Sequence, residues 1–252
     1  MNVLPMKLNA TWHRGHPMPL HPTIDQRIEW HLEHARNCGC REIPPKLIAE
    51  MQKRHLDIPA RFNLEENPAT FDLAKLDSKS PRIKYAFAKE LLAIALRSPE
   101  FLYPHFQRWH QLLEGDNQIL QWTAINIMGR MARVDHAGKV DSEIPQLLTF
   151  LHGGELITTA HAISALREIA KQKPGLKGLI LSELMSVADD QFETIECREI
   201  AIGKVVEALG SFVQEVKDSP EAMTLVQRAC HSTRKATAKK GDKLRNQLEK
   251  VL

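Results

Sequence analysis

The sequence predicts an all-α protein, and three observations lead there. Stretches such as YAFAKELLAIALR (85–97) and TAHAISALREIAK (159–171) carry apolar residues at helical spacing, and strand-like alternation is absent. Hydrophobic residues total 43% but aromatics only 6%, a mixture suited to helices packed through Leu, Ile and Ala rather than to sheets. Finally, similar helical segments return at a nearly constant interval, so the helices come as a repeated unit. A chain of 252 residues can hold one large domain or two small ones. The pattern changes near residue 68, which divides it into a His/Cys-rich segment at 1–68 and a helical repeat domain at 69–252.

Taken in order, WHRGHPMPLHPT (12–23) is rich in Pro and His and predicts an irregular, extended start. Thr23 and Gln26 then have the form of a capping box, with the hydroxyl and the amide satisfying backbone donors. A helix is expected over about 24–36, stopping near Asn37, Cys38 and Gly39. Pro44 and Pro45 open the next element, a helix over KLIAEMQKR.

Beyond residue 69 four segments align without gaps: 85–97, 121–133, 159–171 and 198–210. Each has alanine at its fourth place, Ala88, Ala124, Ala162 and Ala201, at intervals of 36, 38 and 39 residues. Small residues there suit a close approach of two helices. Between these segments lie further amphipathic stretches, FLYPHFQRWHQLLEG, SEIPQLLTFLHGG and LKGLILSELMSVADD, with SPEAMTLVQRACHS after the last. Turn residues such as Gly115-Asp116-Asn117 and Gly153-Gly154 separate the partners. A helical bundle of similar helices is the plainer alternative.

Helix, short turn and helix recurring every 36 to 39 residues resembles the HEAT and armadillo class of α-solenoid. The resemblance implies about four to five helical pairs, capped by an irregular, partly helical N-terminal segment. It departs from the HEAT pattern where an Arg should begin the second helix: Tyr85, Gln121 and Thr159 stand there, and only Arg198 fits. The class implies a surface for macromolecular partners and says little about chemistry.

The formal charge of +3 is unevenly spread. Residues 61–227 carry 18 Lys/Arg against 23 Asp/Glu, while residues 228–252 carry 8 against 2. Arg97, Arg133 and Lys171 each follow a key alanine by nine places, and Arg234, Lys235, Lys239 and Lys240 continue the basic character. In register such cations can follow a phosphate backbone or an acidic partner. Equally, cations favour the last helical turn because they complement its dipole, and a terminal repeat is polar for solubility.

The densest chemistry lies in WHLEHARNCGC (30–40). Ile24, Ile28, Leu32 and Ala35 form an apolar stripe, beside which Arg27, His31, His34 and Cys38 project. His31, His34, Cys38 and Cys40 are the donor types of a tetrahedral zinc site, and His13 and His16 lie in a segment able to fold over them. The spacing is not that of a standard zinc finger, and the bland alternative has the histidines edging the stripe and Cys38 as a small buried hydrophobe. Cys197 and Cys230 read as small apolar fillers.

No Gly-rich phosphate loop, G-x-S-x-G or H-E-x-x-H occurs. The solenoid architecture is similar to that of the DNA alkylation repair glycosylases, which place an acidic residue one turn after a Trp. Here Asn126 follows Trp122, and an amide cannot supply the carboxylate. The expectation is therefore a non-enzymatic scaffold binding a protein partner, with zinc as its one cofactor. A nucleic-acid binder and a metal-dependent enzyme centred on residues 31–40 are the alternatives. No apolar stretch reaches membrane-spanning length, and MNVLPMKLNATWHRGH lacks the apolar core of a secretory signal. A cytoplasmic protein with no membrane partner is expected, its four cysteines reduced or ligating.

Overall fold

The computed structural model describes residues 9–251 apart from positions 39, 42, 55, 57 and 59–71. Among the described residues there is helix and no strand, and no helix is long and apolar enough to cross a membrane. The chain divides into two compact units, Met1–Phe71 and Asp72–Leu252.

The first unit contains α1 (Ala10–Gly15), α2 (Ile24–Asn37) and α3 (Pro45–Lys53). The expected capping box is formed: the Gln26 amide donates to Thr23 Oγ1 at 3.3 Å, and the Thr23 amide donates to Gln26 Oε1 at 2.9 Å. Ile28 and Ala35 on α2 pack with Ile43, Leu47, Ile48, Met51 and Ile58, and Leu32 joins them half-buried. Arg54 closes the outer side with ion pairs to Asp25 and Glu50.

One expectation is corrected at α1. Residues 10–15 are helical, not extended, because Asn9 caps them: its Oδ1 accepts from the Trp12 amide at 3.0 Å. Within the stretch 12–23 the prolines begin only at Pro17, and the irregular path begins with them.

In the second unit, α4 (Pro81–Arg97), α6 (Gln118–Met131), α8 (Leu156–Gln172), α10 (Ile195–Leu209) and α13 (Lys235–Leu248) pack side by side in that order. Against this row lie α5 (Phe106–Leu113), α7 (Ile144–Leu151), α9 (Pro174–Ser186) and α12 (Pro220–Cys230), with the one-turn α11 (Val213–Val216) between. The aligned alanines Ala88, Ala124, Ala162 and Ala201 are all buried within the row. Small residues also set its spacing, since a Cβ added to Gly129 would stand 2.6 Å from the Ala165 Cα.

Polar pins cross between neighbours. The side chain of Asp135 is fully buried and accepts from Tyr103 Oη at 2.6 Å, Lys173 Nζ at 2.7 Å and the amides of Lys139 and Val140. Burial opposes its ionisation, but Lys173, Tyr103 and the two amides outweigh burial and hold the carboxyl below its usual range. Thr237 Oγ1 likewise donates to the Glu199 carbonyl at 2.8 Å, joining α13 to α10.

Candidate metal centre

Three elements bring four side chains of metal-ligating type close enough together to hold one ion. His34 lies in the last turn of α2, Cys38 is the residue that ends that helix, and Cys40 follows in the turn. The Cys38 amide still bonds the His34 carbonyl at 2.7 Å, so the helical geometry carries through to the thiol. His13 arrives from α1. The ligand atoms of His13, His34, Cys38 and Cys40 all lie within 4.8 Å of one another.

The individual separations are tighter. His13 Nε2 stands 3.3 Å from Cys40 Sγ and 3.4 Å from Cys38 Sγ, and His34 Nε2 stands 3.3 Å from Cys40 Sγ. Zinc–sulfur and zinc–nitrogen bonds of about 2.3 and 2.0–2.1 Å at tetrahedral angles put S and N roughly 3.5–3.6 Å apart. The observed edges fall a few tenths of an ångström short of that figure. A ring Nε2 holds one proton or one lone pair and bonds one sulfur well at a time, whereas a central cation satisfies all four donors together.

The surrounding shell orients the donors. The Asn9 amide donates to Cys38 Sγ at 3.3 Å, and the Asn9 side chain reaches the Asn37 carbonyl at 3.1 Å. Trp30 stacks on His34 with centroids 4.8 Å apart and planes 9° apart, and Trp12 stacks on His16 at the same distance. The Trp30 indole donates to the His16 carbonyl at 2.8 Å, tying the end of α1 to α2. Fixed ring planes and N–H···S bonds are the second-layer features that tune ligating His and Cys.

The electrostatics favour a thiolate. Burial pushes the Cys38 thiol up, but the amides of Asn9 and Cys40, the Cys40 thiol and His13 together bring it down to about 7. Cys40 moves the other way, raised by burial and by its neighbour Cys38. The two sulfurs thus share one ionisation readily and a second only against mutual repulsion, which a divalent cation removes.

The set differs from the expected one at one position. His34, Cys38 and Cys40 converge, but His13 stands where His31 was expected. At 100° per residue, His31 points about 60° around α2 from His34, away from the helix-end turn. It is itself buried, 6% exposed, and its Nδ1 has no hydrogen-bond partner among the described residues. Burial, with the charges of Arg27 and Arg41, lowers its pKa and disfavours the charged ring. The readable signal for His13 was Asn9, an N-cap residue three places before Trp12 that starts a helix and turns the next residue inward.

The expected basic register is largely occupied from within. Arg133 donates to the Arg97 backbone carbonyl at 3.1 Å, and Lys171 pairs with Glu168 at 3.1 Å. Arg97 and Lys171 lie in the last turns of their helices, where cations complement exposed carbonyls. Arg234 stands just before α13 and faces Glu196 at 3.8 Å, Lys240 pairs with Glu207 at 2.6 Å, and Lys235 and Lys239 are exposed. Trp122 donates to Thr158 Oγ1 at 2.8 Å and stacks on His161, so it joins α6 to α8. Asn126 is bound to His161 Nδ1 at 2.8 Å. Cys197 and Cys230 are half-buried free thiols. No protein-family model matches the chain, and no curated protein matches it.

Proposed function

We propose that the chain is a non-enzymatic binding protein: a zinc-stapled N-terminal unit followed by an α-solenoid of HEAT-like pairs that presents the binding surface. The observation that carries the zinc is the convergence of His13, His34, Cys38 and Cys40 in a unit whose own core is small. Units of this size lean on metals or disulfides, because little apolar surface can be buried. Four protein donors complete a tetrahedron, which marks a structural site rather than a catalytic one with an open position. The zinc would clamp α1 and the turn at Cys40 onto the end of α2.

The solenoid reading is supported by the near-constant sequence spacing of bonds between successive helical pairs. Trp122 to Thr158 spans 36 residues, Arg130 to Glu168 38, His152 to Asp190 38 and Lys177 to Glu215 38. Each unit thus touches the equivalent part of the next, as a one-dimensional array requires.

Elemental analysis of the purified full chain tests the metal. About one zinc per chain is expected, released by acid as the imidazoles and thiolates take up protons. A metal-free preparation whose N-terminal unit melts no differently after zinc is added would refute it.

A further inference from the structure

The two sulfurs of the donor cluster stand within reach of one another. Cys38 Sγ and Cys40 Sγ lie 3.4 and 3.3 Å from the same atom, His13 Nε2, and within 4.8 Å of each other. A disulfide bond of about 2.05 Å therefore asks for an approach of roughly 2.8 Å at most. The residue between them in the sequence is Gly39, the type that lets a chain bend at least cost.

The two thiols differ in access. Cys38 is 3% exposed, while Cys40 is only half-buried. One reachable sulfur beside a second, covered one is the arrangement of a peroxide-reactive thiol with its resolving partner. Among the described residues the other two cysteines, Cys197 and Cys230, belong to no such cluster.

We propose that Cys38 and Cys40 form a peroxide-sensitive pair, whose joining as a disulfide discharges the metal and unfastens α1. The inference rests on the reading of His13, His34, Cys38 and Cys40 as a zinc site. The Cys40 thiolate attacks one oxygen of hydrogen peroxide; the O–O bond breaks, hydroxide leaves and the sulfur becomes a sulfenic acid. The Cys38 thiolate attacks that sulfur; the S–S bond forms, the S–O bond breaks and a second hydroxide leaves. The two sulfurs give up two electrons, the peroxide takes both, and each hydroxide picks up a solvent proton. Neither sulfur then keeps the charge that binds a cation. His13 and His34 remain as two neutral donors, too few for a closed tetrahedral site. The Asn9 amide loses its thiolate acceptor in the same step, so two of the contacts that hold α1 weaken together. Because Cys40 is not fully covered, the bond is of the exposed, readily reduced kind, and a dithiol reverses it.

The test treats the zinc-loaded full chain with hydrogen peroxide beside a chromophoric zinc indicator. Zinc should leave at least about tenfold faster than without peroxide, with two thiols lost for each ion released. Complete tryptic digestion cuts after Arg36 and Arg41, so the peptide 37–41 holds both cysteines, and its mass should fall by about 2 Da from the dithiol form. On the folded chain, cleavage after Arg14 should quicken by about tenfold while the pair is oxidised. Dithiothreitol and fresh zinc should restore the starting behaviour, and Cys197→Ser with Cys230→Ser should respond as the wild type does. Zinc that stays bound while peptides bearing Cys197 and Cys230 are oxidised overturns the proposal. So does release in which 37–41 carries sulfinic acids, or is bridged to a second chain, rather than closing on itself. Disulfide formation that leaves cleavage after Arg14 unchanged overturns the unfastening of α1. A chain that takes up no zinc before peroxide is added refutes the metal reading itself, and this inference with it.

Discussion

Replacing His13 and His31 in turn separates the metal centre from the buried helix face beside it. His13 Nε2 stands within 3.4 Å of both sulfurs, so His13→Ala leaves three donors and opens the tetrahedron. Loss of a supporting residue around a ligand costs about 10–100-fold in metal affinity, and loss of the ligand itself should exceed about a hundredfold, or roughly 2.7 kcal/mol. His31 is more buried than His13 but outside the donor group. His31→Ala should lower the stability of the N-terminal unit by about 1–3 kcal/mol through lost packing, with zinc affinity unchanged. Titration of each variant against a competing chromophoric chelator, with chemical denaturation followed in parallel, reads both quantities. If His31→Ala released the metal while His13→Ala kept it, the assignment of ligands would be wrong, and the folding-over of α1 with it.

Three further outcomes bear on the second unit. Gly129→Val should destabilise it by about 1–3 kcal/mol, seen as a lower thermal midpoint, because the new side chain meets the Ala165 backbone. Asp135→Asn should cost about 1–3 kcal/mol in urea unfolding, since one buried N–H···O partner set is lost and Lys173 keeps only the more exposed Asp141 as its ion-pair partner. His110 is held above its ordinary 6.5 by its hydrogen bond to Glu143, against burial, so its stabilisation is complete below 6.5 and is lost as pH rises through the raised value. Glu143→Gln should flatten the urea midpoint between about pH 6 and about pH 8.

How much was legible depended on whether a signal was local. The capping box at Thr23 and Gln26 needs only four residues, and it formed as read. The aligned alanines needed only a fixed interval, and all four are buried. His13 was legible only as a residue able to fold over: Asn9 marks the start of its helix, but the meeting with the cysteines depends on a fold-back across the prolines that follow it, which no spacing rule describes. His31 misled for the same reason: an i, i+3 pair suggests a shared ligand, yet one of the two rings turns away from the cysteines. Periodicity marks a residue as apolar at a helical position, and only the packed row shows that Ile83, Ile119, Ile157 and Ile195 stay uncovered.

The last consequence concerns what holds α1. Six residues make too short a helix to persist alone, since nucleation alone outweighs its few hydrogen bonds. Its hold on α2 among the described residues comes from Asn9 on Asn37 and Cys38, from Trp12 and His16 beside Trp30, and from His13 at the sulfurs. Three of those contacts meet at or next to the donor cluster, so a cation bound there would fix α1 and its withdrawal would unfix it. Arg14, exposed in the last turn of α1, is the natural reporter. Trypsin should cut after Arg14 about tenfold faster or more once a chelator removes the zinc, because local opening then exposes the bond. Sites within 72–251 should be cut at unchanged rates, for that unit has its own core. Cleavage after Arg14 that ignored the chelator would mean that the aromatic contacts alone hold the helix, and that the four donors meet without a structural metal.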